Sequence, residues 1–258
     1  MFTIKQFISG TLIVAISVLS LPKNTTAQTV TKGVKNIVLV HGAFADGSSW
    51  AKVITLLQAK GYNVIAAQNP LTSLKDDVAA ARHAIALMDG PVLLVAHSYG
   101  GMVISEAGND PKVVGLVYVA ALVPEEGQTA NAVNTSMPTT GVEKEFRVSP
   151  EGFVSLSEKA INENFVPDAS PVERKLIYAT QIPLAASAGE EKVLSPAWKT
   201  KPSWFIVAKE DGIINPDLER HKAKLIKATT IELKSGHVPM ISQPVKVANF
   251  IIEAAQSL

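Results

Sequence analysis

The sequence predicts an α/β fold: a mostly parallel, doubly wound sheet with a helical cap inserted into it. Three observations support this prediction. Short, continuous apolar runs recur along the chain, segments with helical periodicity lie between them, and one long segment near the middle follows neither pattern. Runs of this kind are typical of strands buried on both faces, and their alternation with helices favours parallel pairing.

Six apolar runs are the predicted strands. Each is rich in aliphatic or β-branched residues, as expected of a strand that lies between two layers of helices. Because helical segments separate them, we expect all six in one sheet. The runs are VKNIVLV (34–40), NVIAA (63–67), PVLLVA (91–96), VVGLVYVAA (113–121), SWFIVA (203–208) and TTIEL (229–233).

Helical periodicity fills the intervals between several of these runs. In residues 48–60 and 73–89, apolar side chains recur every three or four positions, which is typical of helices with one buried face. Ser48 or Ser49 is the predicted N-cap of the first helix, and Gly61 is its predicted end. These helices are expected to cover the faces of the sheet.

Residues 125–202 are the predicted cap. The segment carries several prolines and no strand-like run, and it is too long for a simple loop. Two stretches within it, SLSEKAINENF and SPVERKLIYATQ, have helical patterns. We therefore expect a helical insertion over one end of a sheet whose core consists of residues 28–124 and 203–258.

Residues 1–27 have the layout of a secretory signal peptide. Lys5 precedes an apolar stretch that runs from about Phe7 to Leu21, and a small-residue cleavage site ends at Ala27. Polar and small residues make this stretch a weak membrane span. The chain contains no cysteine, which excludes lipoprotein anchoring and a disulfide framework. We expect cleavage after Ala27, no stable membrane insertion, and an exported protein, either periplasmic or secreted.

The charge balance and the absence of several motifs narrow the function classes. Lysine and arginine number 24 against 23 aspartate and glutamate, and no basic cluster suggests a nucleic-acid interface. The chain has no HExxH, no GxxxxGK[ST], and no GxGxxG after a strand. We expect neither a metal nor another cofactor, and a small molecule rather than a nucleic acid as the partner.

Ser98 follows the third predicted strand within the pentapeptide AHSYG (96–100). In a tight strand-to-helix turn, small residues two positions to either side let a serine hydroxyl project into a cleft, which gives the pattern Gly-x-Ser-x-Gly. Ala96 replaces the first glycine and is still small. A serine that only caps the next helix is the alternative explanation.

Two further polar residues follow later strands. Asp211 comes after SWFIVA and His237 after TTIEL. The carboxyl ends of parallel strands meet at one edge, where ligands bind. A serine nucleophile needs a base, and the base needs a carboxylate to orient it. Glu210 and Asp217 compete with Asp211, but the latter lies where the chain leaves the strand. The order Ser98, Asp211, His237 matches the serine triads known on this sheet architecture.

The other histidines have structural explanations. His97 is expected to point away from Ser98, and His41 to pack or to orient the loop after the first strand. His83 and His221 lie in helical patterns among polar neighbours.

The run VLVHGAF (38–44) ends an earlier strand and supplies a candidate oxyanion donor. The backbone N–H of Ala43, together with that of Tyr99 at the start of a helix, is predicted to form an oxyanion hole beside Ser98.

With these pieces in place, residues 34–258 resemble the α/β-hydrolase superfamily, and more narrowly its branch of small plant methylesterases, hydroxynitrile lyases and bacterial carboxylesterases. The resemblance implies a nucleophile at Ser98, a base at His237, an acid at Asp211, and oxyanion donors at Ala43 and Tyr99. It rests on HGAFADGSSW (41–50), AHSYGG (96–101), VAKEDGIINP (207–216) and SGHVPMISQP (235–244).

The resemblance implies hydrolysis of a small carboxylic ester without a cofactor. The hydroxynitrile lyases of this branch carry a lysine directly after the histidine, whereas this chain has Val238, which disfavours the lyase. Lactone, thioester or amide hydrolysis, and a ligand-binding protein on the same scaffold, remain alternatives. Four cap aromatics are candidate pocket residues, although packing is their commoner role: Phe146, Phe153, Phe165 and Trp198.

Overall fold

The computed structural model describes residues 33–258. The predicted signal peptide, residues 1–27, lies outside the described residues. The described residues form nine β-strands: β1 (Asn36–Val40), β2 (Asn63–Ala67), β3 (Val92–Ser98), β4 (Val113–Ala121), β5 (Phe146–Val148), β6 (Phe153–Leu156), β7 (Leu184–Ala185), β8 (Ser203–Ala208) and β9 (Thr229–Leu233).

The same residues form nine α-helices: α1 (Ala51–Ala59), α2 (Leu74–Ala86), α3 (Gly100–Ala107), α4 (Ala130–Asn134), α5 (Glu158–Ala160), α6 (Pro171–Thr180), α7 (Pro216–Leu225), α8 (Pro239–Ser242) and α9 (Pro244–Ser257). Three of them, α4, α5 and α6, lie between β4 and β8, and the other six lie before β4 or after β8. Within residues 33–258, no helix is both long and apolar enough to cross a membrane.

Six of the strands form one parallel sheet in the order β2-β1-β3-β4-β8-β9. These are the six apolar runs predicted from the sequence, and the α/β fold class is confirmed. The central strands β1, β3 and β8 are buried along their whole length, because helices cover both faces. Parallel pairing brings the carboxyl ends of β3, β8 and β9 to the same edge of the sheet.

The first predicted helix begins differently from the sequence-based expectation. A 3₁₀ turn at Gly47–Trp50 precedes α1, and its N-cap is Asp46, whose side chain accepts a hydrogen bond from the Ser48 backbone N–H. The prediction that Ser48 or Ser49 caps this helix is wrong. Asp46 has the extended backbone that an N-cap requires.

The segment 125–202 combines helices with a small antiparallel sheet of β5, β6 and β7. The second stretch with a helical pattern is helical as α6, which starts with a capping box. The first is helical only from Glu158 to Phe165, because its first two residues belong to β6. The expectation that this segment holds no strand is wrong. Its three strands are short and mostly half-buried or exposed, so they lack the continuous apolar runs of a central strand.

Candidate active site

Ser98 ends β3 on a sharp turn into α3. Its φ of +54° lies in the left-handed region, which a non-glycine residue adopts only when the surrounding structure holds it there. The following Gly100 is packed so closely that an added Cβ would lie 2.8 Å from the carbonyl oxygen of His41. The turn therefore holds the Ser98 side chain at the sheet edge, as expected of a strained strand-to-helix turn.

The structure brings the three predicted triad side chains together. His237 Nε2 lies 2.8 Å from Ser98 Oγ, and His237 Nδ1 lies 2.5 Å from Asp211 Oδ2. Ser98, Asp211 and His237 come from the ends of β3, β8 and β9, and all three are buried. An imidazole between a hydroxyl and a carboxylate can accept the hydroxyl proton at Nε2, while its Nδ1–H keeps its proton and donates a hydrogen bond to the carboxylate.

The loop after β8 selects Asp211 over the neighbouring carboxylates. Its Oδ1 accepts hydrogen bonds from the backbone N–H groups of Ile213 and Ile214, at 2.7 and 2.9 Å. These two bonds leave Oδ2 facing His237. Glu210 and Asp217 are instead exposed and pair with surface cations.

The two residues predicted to supply oxyanion donors border the space beside Ser98. Ala43 and Tyr99 line the same cavity as Ser98, with a volume of about 250 Å³. Within residues 33–258, neither N–H donates a hydrogen bond to another protein group. Donors left free beside a nucleophile have the arrangement of an oxyanion hole.

The cavity is lined almost entirely by apolar side chains. Phe44, Leu122, Phe146 and Ile213 are among its larger members, and no charged side chain of the described residues lines it. Besides Ser98 and Tyr99, the polar side chains that line it are Asn131 and Asn134, both in α4. A larger, open groove of about 650 Å³ lies elsewhere and contains none of the triad.

Of the four cap aromatics, only Phe146 lines this cavity. Phe165 packs against the His237 ring, with centroids 5.4 Å apart. Trp198 donates its indole N–H to the carbonyl oxygen of Pro124 at 2.7 Å, and Phe153 is a half-buried residue of β6. Packing is therefore the main role of three of these residues.

His97 has a role that the sequence did not reveal. Its Nε2 donates to the His237 carbonyl oxygen at 2.8 Å. The two rings lie 4.6 Å apart. Burial lowers the pKa of His97 well below its ordinary value, and the His237 ring lowers it further. A neutral His97 thus holds the backbone of the predicted base without adding a charge.

His41 orients the loop that carries Ala43. Its Nδ1 donates to the Gly42 carbonyl oxygen at 2.9 Å, and its Nε2 accepts the backbone N–H of Asn69 at 2.9 Å. Burial lowers the pKa of His41, which favours this neutral tautomer. The loop-orienting role was one of two expected from the sequence.

Tyr99 is fixed from the opposite side of the site. Its hydroxyl donates to Asp77 Oδ2 at 3.0 Å, and Asp77 Oδ1 accepts the backbone N–H of Leu71 at 2.8 Å. Burial raises the pKa of Asp77 to about 6. No sequence pattern marks Asp77, because one acidic residue in a helix is normally exposed.

Comparisons with known proteins identify the family and the fold. Residues 37–250 match the model of a family described as the alpha/beta hydrolase family. Methylesterase 2 of Arabidopsis thaliana is 25% identical over 86% of this chain and 97% of its own length. A pyrethroid hydrolase of Sphingobium wenxiniae is 25% identical over 87% and 89%. The solved structure of an extracellular alpha/beta-hydrolase from a Paenibacillus species superposes with a TM-score of 0.73, at 21% identity over 86% and 99%.

Proposed function

This chain belongs to the α/β hydrolase family, and from that premise we propose that it cleaves carboxylic esters with Ser98 as the nucleophile. One observation carries the proposal: His237 Nε2 lies 2.8 Å from Ser98 Oγ, beside a cavity that Ala43 and Tyr99 also line. Relatives named as esterases and hydrolases support the reaction class.

The first half of the reaction forms an acyl-enzyme. Ser98 Oγ attacks the ester carbonyl carbon while His237 Nε2 takes its proton. The carbonyl electron pair moves onto oxygen, and the N–H groups of Ala43 and Tyr99 stabilise the oxyanion, each by about 3 kcal/mol. Asp211 stabilises the imidazolium. The oxyanion then collapses, and the departing alcohol takes the proton from His237.

The second half releases the acid. Water enters where the alcohol left, His237 takes one of its protons, and the resulting hydroxide attacks the acyl carbon. A second oxyanion forms against the same two N–H groups. Its collapse breaks the bond to Ser98 Oγ, which recovers its proton from His237.

The lining of the cavity favours an uncharged ester with an apolar group next to the carbonyl. Desolvating a charged group without a partner is costly, and no charged side chain of the described residues lines this cavity. Asn134 is the polar side chain of this cavity that we expect to bind one polar group of the substrate, since the Asn131 amide already donates to Glu190.

Hydrolysis of uncharged short-chain p-nitrophenyl esters tests this function. We expect saturable hydrolysis and a fall of kcat/KM by ~1,000-fold or more in Ser98→Ala. Ser203→Ala removes a buried hydroxyl away from the cavity and serves as the matched control, with unchanged kcat/KM. If the wild type does not hydrolyse these esters but hydrolyses a lactone, a thioester or an amide, the ester assignment is wrong and that compound class is the substrate.

Covalent labelling separates an enzyme from a binding protein on the same scaffold. A fluorophosphonate reacts with a serine that a neighbouring base activates. We expect labelling of the wild type and none of Ser98→Ala. A wild type that is not labelled contradicts the proposed mechanism.

We also propose that residues 1–27 direct export. The basis is the charge, apolar stretch and small-residue site read from the sequence. Intact-mass measurement of protein secreted by a host strain is expected to give an N-terminus at Gln28. Recovery only of uncleaved chain inside the cell contradicts this proposal.

A further inference from the structure

A second carboxyl group lies behind Asp211. Glu219, in α7, is fully buried, and its Oε2 accepts the backbone N–H of Ala208 at 2.9 Å. The Ala208 carbonyl oxygen in turn accepts the backbone N–H of Asp211 at 3.2 Å. Glu219 therefore supports the turn that carries the predicted triad acid.

The other oxygen of Glu219 has no donor. Oε1 is buried, and none of the described residues donates a hydrogen bond to it. Glu219 holds the turn that carries Asp211, so the two carboxyl groups are neighbours, and Oε1 is the oxygen left free to face Asp211. Two carboxylates in contact cannot form a hydrogen bond unless one of them carries a proton.

The charges around Glu219 do not compensate an ionised form. The groups that act on it are Asp211, with His237 beyond, and Arg220 of its own helix. Arg220 points outward, where it pairs with Glu232 and Asp217. An unpaired buried carboxylate next to a second one is strongly unfavourable.

We propose that Glu219 is a positioning residue that stays a neutral carboxylic acid and donates its O–H to Asp211. The chain of hydrogen-bonded side chains Ser98, His237 and Asp211 then extends to Glu219 as its fourth residue. Its role deepens the proposed function and rests on it. Burial raises the pKa of Glu219 well above its ordinary range, and the negative charge of Asp211 raises it further.

The hydrogen bond moderates how strongly Asp211 attracts the imidazolium of His237. A donor to Asp211 shares its negative charge, which weakens the attraction between Asp211 and a protonated imidazole. Without this donor that attraction is stronger, and the acidic limb of the activity profile is expected to move upward. If Glu219 were ionised, its replacement by a neutral residue would take a negative charge away from His237, and the acidic limb would move downward instead.

The rate of Ser98 labelling by a fluorophosphonate, measured from acid to neutral pH, distinguishes these cases. Glu219→Gln keeps both an amide donor for Asp211 and an acceptor for Ala208, and its acidic limb is expected within ~0.3 pH unit of wild type. Glu219→Met has no donor, and its limb is expected ~1 pH unit higher. Asp217→Asn, an exposed change on the same helix, is the charge control and leaves the limb in place.

An infrared difference spectrum tests the proton itself without substrate. Wild type minus Glu219→Gln at neutral pH is expected to show the C=O stretching band of a carboxylic acid. This readout remains available if Glu219→Met does not fold. If wild type carries the band but is not labelled, the proposed function fails while the hydrogen bond stands.

Three results overturn the proposal. The first is a difference spectrum without the carboxylic acid band. The second is an acidic limb that moves downward in Glu219→Gln, which identifies an ionised carboxylate. The third is an unshifted limb in folded Glu219→Met, which leaves Glu219 only a structural role.

Discussion

Gly42 is the residue that lets the loop bearing Ala43 approach Ser98. A Cβ at this position would lie 2.6 Å from Ser98 Cβ and 3.2 Å from Ser98 Oγ. The first of these distances is shorter than any ordinary van der Waals contact, so the loop or the serine would have to move. A side chain of any size here acts directly on the proposed nucleophile.

We therefore predict that Gly42→Ala lowers the rate of Ser98 labelling and of ester hydrolysis by about 100-fold, since misplacement by about 1 Å has an effect of this size. The far-ultraviolet circular dichroism spectrum should stay native. Gly61→Ala is the control: Gly61 has a positive φ, which alanine tolerates less well, but an added Cβ there meets no atom within 4 Å. Its rate should be unchanged. Equal rates in Gly42→Ala and wild type would show that the loop yields freely.

His97 and Glu219 show why residue type alone is a weak guide to function. Each is fully buried: His97 donates a hydrogen bond to the His237 carbonyl oxygen, and Glu219 supports the turn that carries Asp211. His97 is next to Ser98 in sequence, yet it contacts His237, 140 positions away. Glu219 is one of several charged residues in α7, and its neighbours give no sign of its burial.

Helix α6 connects the cap segment to the core through its first turn. Ser170 accepts the Glu173 backbone N–H at 3.3 Å, and Glu173 accepts the Ser170 backbone N–H at 2.9 Å. Glu173 also pairs with Lys52 of α1 at 2.6 Å. No residue of α6 is fully buried, and its packing on the core comes from half-buried side chains such as Ile177 and Tyr178. The N-cap is therefore expected to contribute measurably to the stability of this helix.

Ser170→Ala should therefore lower the free energy of unfolding by about 1 kcal/mol, the usual effect of losing an N-cap. Urea denaturation measures the change. Ser187→Ala, also in the cap segment, alters an exposed serine and should change the free energy by less than ~0.5 kcal/mol. Indistinguishable midpoints for the two variants would mean that the capping box contributes nothing.

At the scale of the whole molecule, buried ionisable groups give stability a pH dependence with two opposing parts. Burial lowers the pKa values of His41 and His97. As pH falls below about 6.5, these histidines are protonated in the unfolded chain but stay neutral in the folded one. Their contribution to the free energy of unfolding is therefore lost as pH falls. Burial raises the pKa of Asp77 to about 6. The folded chain then binds the extra proton, and this part is lost as pH rises from about 4 to about 6.

Asp77→Asn isolates the second part. Relative to wild type, the variant should gain stability as pH rises from about 4 to about 6 and show a constant difference above that range. Urea denaturation at several pH values measures this difference. Asp76→Asn is the control, because Asp76 is exposed and hydrogen bonds from Ser73 and Thr72 lower its pKa. Its difference from wild type should stay flat above about pH 5. A flat difference for Asp77→Asn contradicts the raised pKa.

The sequence by itself determined the six strands of the sheet, because continuous apolar runs indicate burial on both faces. It also determined which residues lie at or after the carboxyl ends of these strands, including Ser98, Asp211 and His237 in that order. The catalytic roles of these residues, the cap boundaries and the signal peptide stay predictions. The antiparallel strands of the cap escaped detection, since short, half-exposed strands lack such runs.

Only the tertiary structure decided which side chains touch. It placed His97 against His237, Glu219 behind Asp211, and Asp77 under Tyr99. These contacts join residues far apart in sequence, and they arise from strand order and from helices packing on the sheet. Local patterns record whether a position is buried, whereas the identity of its partner depends on the folded chain as a whole.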